Sequence, residues 1–295
     1  MTFAYEVKEE ICSLKLKKEY RLIQIYGLLL FANQFTDKQI KIITENEIVA
    51  NTILNDFEEL FEFKPIFITH KTKVKTVYNI IIDNKDLINR ISLVIGTSIG
   101  KLTSSINHNL VYNESSQSAF IRGAFLSGGT MATPTKAYHF EISTPKKALA
   151  YDFISLLSEL EIAEPKIIMR KSNYVVYYKD SLVIEDILNI MGARKSEFNF
   201  INAKIEKQLR NDANRSTNCV TANISKAVEA SSKQRLAIDN LKKSGRYELL
   251  PIELKKIAVL REENPFASLE EIALLTEDKE SKTSIYNKLK KIQEF

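Results

Sequence analysis

Only two cysteines occur in the 295 residues. Cys12 and Cys219 stand far apart without a CxxC neighbour, so they read as free thiols of a reducing cytosol, packed in cores rather than poised for catalysis. Histidine is almost as scarce. His70, His108 and His139 are isolated, which predicts surface or satisfied imidazoles and no metal site. The longest apolar run, Leu22–Ala32, is interrupted by Gln24 and falls well short of the ~20 residues a membrane span needs. The opening Met1–Glu10 carries no apolar signal core. These scarcities predict a cytoplasmic protein with no membrane segment, metal or other cofactor. What remains is globular composition, 44% hydrophobic and 27% charged with 8 Gly and 6 Pro. The length suffices for two or three domains with proper cores.

The net charge of +5 is unevenly placed. Residues 1–193 hold 22 basic and 22 acidic side chains, residues 194–246 hold 12 and 5, and residues 247–295 hold 8 and 10. Within the last group, four lysines fall in Lys282–Lys291, which has no acid. A neutral body with a basic connector and one basic terminal helix is the distribution of a polyanion binder. Charge alone leaves a solvated basic face as the other reading.

The chain is organised around Ala119–Gly129. Its front reads as a helix with Phe120, Ala124 and Phe125 on one side and Gly123 and Ser127 one turn apart. Small residues at that spacing admit a second helix at close range. Gly128 and Gly129 then end the helix at a turn. Ile25–Asn33 is a similar stretch, with Gly27 in the place of Gly123, so the two helices are expected to pack on each other.

The surrounding elements repeat. A lead-in helix over Phe3–Glu10 precedes a helix Arg21–Asn33, a strand Gln39–Thr44, and a helix Glu45–Leu60 with Ile48, Val49, Ile53, Leu54, Phe57 and Leu60 apolar. A hairpin of Pro65–Thr69 and Val74–Ile82 follows, then a helix Asp83–Ile95. After a polar loop around Gly96–Ser118 the order recurs. It runs through the central helix, a strand Tyr138–Ser143, and a helix Pro145–Leu160 with Ala148, Tyr151, Ile154, Leu157 and Leu160 inward. Strands Pro165–Met169 and Tyr174–Tyr178 and a helix Ser181–Met191 complete it. Agreement of order and spacing argues for an internal duplication.

The paired stretches resemble the LAGLIDADG helix of homing endonucleases. The whole chain resembles the WhiA family, DNA-binding regulators of bacterial sporulation and division built on that endonuclease fold. The resemblance implies two αββαββ halves meeting along the motif helices, with strands forming a saddle that in the nucleases lies on DNA. It also implies where catalytic acids would stand: the next-to-last motif residue, which holds a divalent metal in the nucleases, is Ala32 in one half and Gly128 in the other. Neither side chain ligates a cation, so the helix pair is expected without the cutting chemistry. Asp37 and Glu141 lie nearby but off the motif position, and Glu141 reads as a paired strand residue. Lys71, Lys73 and Lys75 in the first hairpin turn, and Arg170 and Lys171 in the second, could touch phosphate. The neutral charge of this half favours a structural or partner-binding role.

Beyond Met191–Lys195, the segment Ser196–Ala213 places Phe198, Ile201, Ile205 and Leu209 on one stripe. Asn211–Asn223 is rich in Asn and short polar groups that cap helices and make turns, and it too resembles the family. A helix with Val220, Ile224, Ala227, Val228, Ile238 and Leu241 packed on a neighbour then runs to about Ser244. Arg210, Arg215, Lys233 and Arg235 are candidate phosphate contacts, with a solvated face as the alternative. The last fifty residues read as a helix-turn-helix. Pro251 opens a helix to Glu263, and Ser268 and Glu271 form a capping box for a short helix carrying Leu269, Ile272 and Leu275. Thr276–Glu280 is a turn, longer than the usual three or four residues. Ser281 then caps a last helix with Ile285, Leu289 and Ile292 buried. Its opposite face carries Lys282, Thr283, Tyr286, Asn287 and Lys290, a set suited to the major groove, with Asn287 able to pair with an adenine edge. This run resembles the family's recognition helix, and Ser281 and Ser284 join the candidate DNA contacts.

The expected fold class is therefore α+β, a duplicated LAGLIDADG-type domain followed by an all-α helix-turn-helix domain. The expected segments are a lead-in 1–20, repeats 21–95 and 119–193 joined by a loop 96–118, a connector 194–246, and a helix-turn-helix domain 247–295. The expected function is a non-enzymatic, nucleoid-associated DNA-binding protein. The resemblance adds transcriptional control, cell division and chromosome segregation, with double-stranded DNA as partner and a regulatory or division protein on the LAGLIDADG-like domain. A scaffold acting mainly through protein partners and a residual metal-dependent endonuclease are the competing classes.

Overall fold

The computed structural model describes residues 2–73, 75–95 and 105–295. Val74, and residues 96–104 of the expected polar loop, lie outside the described residues. The chain divides into two compact units, Met1–Lys207 and Gln208–Phe295.

In the first unit, α1 (Phe3–Ser13) precedes two copies of one motif. The first copy is α2 (Lys18–Leu30), β1 (Gln34–Phe35), β2 (Ile40–Thr44), α3 (Glu47–Phe61), β3 (Ile66–Lys71), β4 (Thr76–Ile82) and α4 (Lys85–Val94). The second is α5 (Glu114–Gly128), β5 (Gly129–Met131), β6 (Phe140–Thr144), α6 (Lys147–Glu159), β7 (Lys166–Arg170), β8 (Asn173–Tyr178) and α7 (Ser181–Ile190). Each copy folds an antiparallel four-stranded sheet, ordered β1-β2-β4-β3 and β5-β6-β8-β7. The expected duplication is thus present in strand order as well as in spacing. The short β1 and β5 directly after the motif helices were not read from the sequence, because two or three residues carry no periodicity.

α2 and α5 pack at backbone distance. A Cβ on Gly27 would fall closer than 3.0 Å to the Phe120 carbonyl oxygen, and one on Gly123 would fall as close to the Gln24 carbonyl. Buried rings fill the space around this crossing, with Tyr26 5.4 Å from Phe120 and Phe31 5.5 Å from Phe153. Gln24, read as an interruption of the apolar run, is itself buried and accepts a bond from the buried Arg122 Nε at 3.1 Å. α5 does end at Gly129, but in an extended conformation (φ −91°) rather than a left-handed turn.

One inward stripe differs from expectation. α6 buries Leu149, Ala150, Phe153, Leu156 and Leu157, whereas Ala148 and Tyr151 are exposed. The helix carries apolar residues along two overlapping stripes, and the sheet beneath takes the one containing Phe153.

The long helix α8 (Arg194–Lys243) begins in the first unit. Its first turn is capped from the other end of the sequence: the Glu10 carboxylate accepts the N–H groups of Lys195 and Ser196 at 2.7 and 2.8 Å and the Ser196 hydroxyl at 2.6 Å. A carboxylate there satisfies orphan donors and faces the positive end of the helix dipole. Phe200 buries beside Phe3 and Tyr138. The apolar stripe read from the sequence is largely outside, with Phe198 64% and Leu209 66% exposed and Ile205 also exposed.

In the second unit α8 continues without a break through Asn211–Asn223, where turns were expected. Val220, Ile224 and Val228 are exposed, and only Ile238 and Leu241 of the expected apolar positions are buried. Cys219 is exposed rather than packed, and both cysteines are free. Gly245, at φ +74°, ends the run beyond Ser244. Helices α9 (Ile252–Glu263), α10 (Leu269–Leu275) and α11 (Lys282–Glu294) then close a small core of Ile238, Leu241, Leu254, Ile257, Ile272 and Ile285 with their neighbours. Of the apolar residues on α10, Ile272 is buried and Leu275 is exposed. Among the described residues no helix is long and apolar enough to cross a membrane.

Candidate nucleic-acid interface

The polar side of α11 is fixed by its caps and its buried stripe. Ser268 and Glu271 form the expected capping box on α10, and Ser281 caps α11 by accepting the Ser284 N–H at 3.2 Å. Between them, Thr276 donates to the Ala273 carbonyl and accepts from the Glu280 N–H, while Lys279 takes a left-handed φ of 46°. Ile285, Leu289 and Ile292 are buried at spacings of four and three. Thr283, Tyr286, Asn287 and Lys290 follow the i, i+3, i+4, i+7 pattern and share one exposed face. Among the described residues Thr283, Tyr286 and Asn287 make no side-chain hydrogen bond.

Not every candidate points outward. Ser284 is half-buried and donates to Glu280 at 2.6 Å, and Lys288 donates to the same carboxylate at 2.6 Å. Those bonds, Lys288 foremost, hold the Glu280 carboxyl below its usual range. Lys282 pairs with Glu270 at 3.2 Å and Lys290 with Glu294 at 3.6 Å, both in the open. Exposed pairs of this kind are worth ~0–1 kcal/mol, so either lysine exchanges its partner for a phosphate at little cost.

The connector residues do not converge. Arg210, Arg215, Lys233 and Arg235 are all exposed on α8. Eighteen residues separate Arg215 from Lys233, which puts them on one face about 27 Å apart. Arg210 and Arg235 share a different face, about 37 Å apart. Lys233 is already paired with Glu229 at 2.7 Å.

The place where the resemblance would put a metal has the wrong chemistry for one. Ala32 is buried, and a cavity of about 260 Å³ beside it is lined by Asn33, Ser127, Gly128, Ser143 and Asn173, among others, with no carboxylate. A Cβ on Gly128 would lie 2.6 Å from the Ser143 carbonyl oxygen, so a longer side chain has no room. Cations, not acids, attend the helix ends: Lys8 donates to the Leu126 carbonyl at 3.2 Å and Lys146 to the Leu30 carbonyl at 3.3 Å. Burial pushes the Lys8 ammonium down to about 8 and lowers Lys146 as well. Sequence reading missed this pair because nothing in local spacing links residues 8 and 126, or 146 and 30.

The two off-motif acids are also accounted for. Asp37 is exposed in the β1–β2 turn. Glu141 accepts Arg170 at 2.5 Å and pairs with His139 at 2.9 Å. Burial raises the Glu141 carboxyl, but these two hydrogen bonds outweigh it and hold the group low. Among the described residues no three His, Cys, Asp or Glu side chains are grouped to hold an ion.

Two family models match. Residues 117–210 match the WhiA LAGLIDADG-like domain, and residues 213–295 match the WhiA C-terminal helix-turn-helix domain. Over its whole length the chain is 33% identical to a probable cell division protein WhiA of Clostridium perfringens (strain 13), covering 97% of that protein. The chain belongs to the WhiA family. A second relative, a probable cell division protein WhiA of Clostridium botulinum (strain Hall), is 30% identical across 100% of this chain and 98% of its own. The crystal structure of full-length WhiA from Thermatoga maritima superposes with a TM-score of 0.61 at 22% identity, covering 100% of this chain and 97% of that one. The N-terminal LAGLIDADG domain of WhiA gives 0.53 at 19% identity, covering 65% and 90%. At these identities the structural likeness speaks for the WhiA fold, and the curated relatives for the family.

Proposed function

We propose that this WhiA-family chain is a DNA-binding regulator acting in cell division, that α11 reads the duplex, and that the repeat domain is a frame without nuclease chemistry. One observation carries the reading: a single exposed face of α11 bearing Thr283, Tyr286, Asn287 and Lys290, backed by a buried aliphatic stripe. No acid stands in the first turn of α11 to repel phosphate. Ser281, Lys282 and Thr283 at that end suit the phosphate backbone, and Asn287, one turn further, suits an adenine edge in the major groove. Transcriptional control, a part in chromosome segregation and residence on the nucleoid belong to the same proposal, and rest on the resemblance to the family rather than on the helix. The relatives' name, probable cell division protein, supports division as the setting.

Salt titration of duplex binding tests the assignment. Each phosphate neutralised contributes about 0.9 to the slope of log K against log salt. Lys290→Ala is expected to weaken binding to every sequence and to lower that slope by roughly 1. Asn287→Ala is expected to leave the slope alone and to relax preference at one base pair by about 1–3 kcal/mol. Parent-like behaviour of both variants would remove α11 from the interface. Time-dependent, EDTA-sensitive nicking of supercoiled DNA by pure protein with Mg²⁺ would overturn the non-nuclease half. Mapping crosslinks across the chromosome separates a site-specific regulator, with sharp peaks, from a nucleoid-organising protein, with a broad smear.

A further inference from the structure

The two sheets of the repeat share strand order but not the chemistry of their solvent faces. Ile40, Ile42, Ile80 and Ile82 fill the core, so Lys41, Ile43, Asn79 and Ile81 lie on the other face, Asn79 buried among its neighbours there, and the register adds Ile66, Ile68, His70 and Val77 to that side. In the second sheet Ile142 and Val176 occupy the places of Ile42 and Ile80. Matching outward from them, Lys166 replaces Ile66, Arg170 replaces His70, Ser143 replaces Ile43 and Tyr177 replaces Ile81. The edge strand β7 therefore carries the long charged side chains that blunt an edge against pairing. On that face the edge strand β3 carries none, its one long charged side chain being the terminal Lys71 on the opposite face. All six of its residues are exposed, Ile66 to 45%, Phe67 to 40% and Ile68 to 40%.

The backbone of β3 is as open as its side chains. Its hairpin closes with the Thr72 N–H donating to the Lys75 carbonyl at 2.8 Å. Counting back along the antiparallel register, alternate residues turn their N–H and C=O groups towards β4, which leaves those of Phe67, Thr69 and Lys71 pointing away. Among the described residues no backbone group pairs with these.

We propose that β3 is a docking edge that takes an extended, acidic peptide segment of a protein partner as a fifth strand. The three outward N–H and C=O pairs supply the ladder, and Ile66 and Ile68, with Ile81 behind them on β4, line the face that alternate aliphatic side chains of the added strand extend. Charge selects the occupant. Lys64, Lys71 and Lys73 are exposed at the two ends of β3, Lys41 lies on the same face, and neither the strand nor that face contains an acid. A second copy fits badly. Antiparallel pairing centred on Thr69 would set Lys73 of each chain beside Lys64 of the other, with nothing to offset them. Nucleic acid fits badly too, since the face is mostly aliphatic. The proposal goes beyond the DNA-binding reading and uses no residue of α11, though Lys71 and Lys73 are among the hairpin lysines named above as phosphate candidates.

The test uses the full chain and a blocked synthetic peptide, Glu-Val-Thr-Ile-Thr-Val-Asp-Glu, with a charge-reversed twin carrying Lys at each acidic position. The acidic peptide is expected to shift the amide resonances of Phe67, Thr69 and Lys71 and slow their hydrogen exchange, while the twin binds at least about tenfold more weakly. Thr69→Pro removes an outward N–H without touching the β3–β4 ladder, a place where proline is tolerated, and is expected to abolish those effects. Should it also lower the melting temperature, Ile66→Glu, which removes an aliphatic contact and sets an acid against the acidic peptide, serves as the second variant and is expected to weaken binding in the same way. No exchange protection in β3, or equal binding of both peptides, overturns the proposal. So does a shift of these amides by a 20-base-pair duplex but not by the peptide. Sedimentation showing a dimer that Thr69→Pro dissolves would assign the edge to a second copy instead.

Discussion

Replacing Gly27 or Gly123 by alanine drives a methyl group into the backbone of the opposing helix, where no rotamer can make room. Either change is expected to cost about 3 kcal/mol or more, the upper range for overpacking, read as a lower midpoint in chemical denaturation. Gly128→Asp is a sharper case. It restores the acid that the nucleases carry, yet its Cβ meets the Ser143 carbonyl and its neighbours are Lys-capped helix ends. The expected outcome is lost stability and no Mg²⁺-dependent nicking. Lys8 gives a pH signature. Its folded pKa of about 8 lies below the ordinary 10.5, so between those values the unfolded chain binds more protons and stability rises with pH. Subtracting the stability curve of Lys8→Met from that of the parent should leave this rise, with a flat stretch below pH ~8. The motif glycines announced themselves in the sequence because helix contact at that range admits little else. The lysines did not, because their partners are carbonyls on a distant helix.

At the scale of elements, local signals were the dependable ones. The capping box at Ser268 and Glu271 and the cap at Ser281 bond within three residues, so the sequence carried them whole. α6 shows the opposite. Two stripes meet at Leu157, and only the sheet decides which turns inward. In α8 the composition pointed to turns over Asn211–Asn223, since Asn, Ser and Thr favour bonds that compete with a helix. The structure keeps the helix there although every residue from Gln208 to Ala230 is exposed. With poor propensity and no packing, that stretch is held only by its own ladder. Amides of 211–225 are therefore expected to exchange orders of magnitude faster than those of 234–243, where Gln234, Ile238 and Leu241 are buried. Equal protection across α8 would mean that something covers it.

For the molecule as a whole, the division of charge runs alongside the proposed division of labour. The repeat, residues 1–193, balances 22 cations against 22 anions, whereas residues 194–246 carry the surplus. A fragment of residues 1–207 is expected to melt as one cooperative unit and to bind duplex DNA far more weakly than the full chain at 50 mM salt, measured by anisotropy. Strong binding by the fragment would move the interface from α11 to the sheets. The duplicated plan was legible because its order recurs across some hundred residues. The unlike faces of the two sheets were not, since exposure at β3 depends on which strand stands at the edge.

The bond from Glu10 to the first turn of α8 joins groups 185 residues apart. At about 5–20 residues per second, a ribosome needs roughly 10–40 s to make the stretch between them. Throughout that interval the Phe3 ring lacks the Phe200 ring it packs on, yet the opening helix can seat on α3 and α5 before its last neighbour is made.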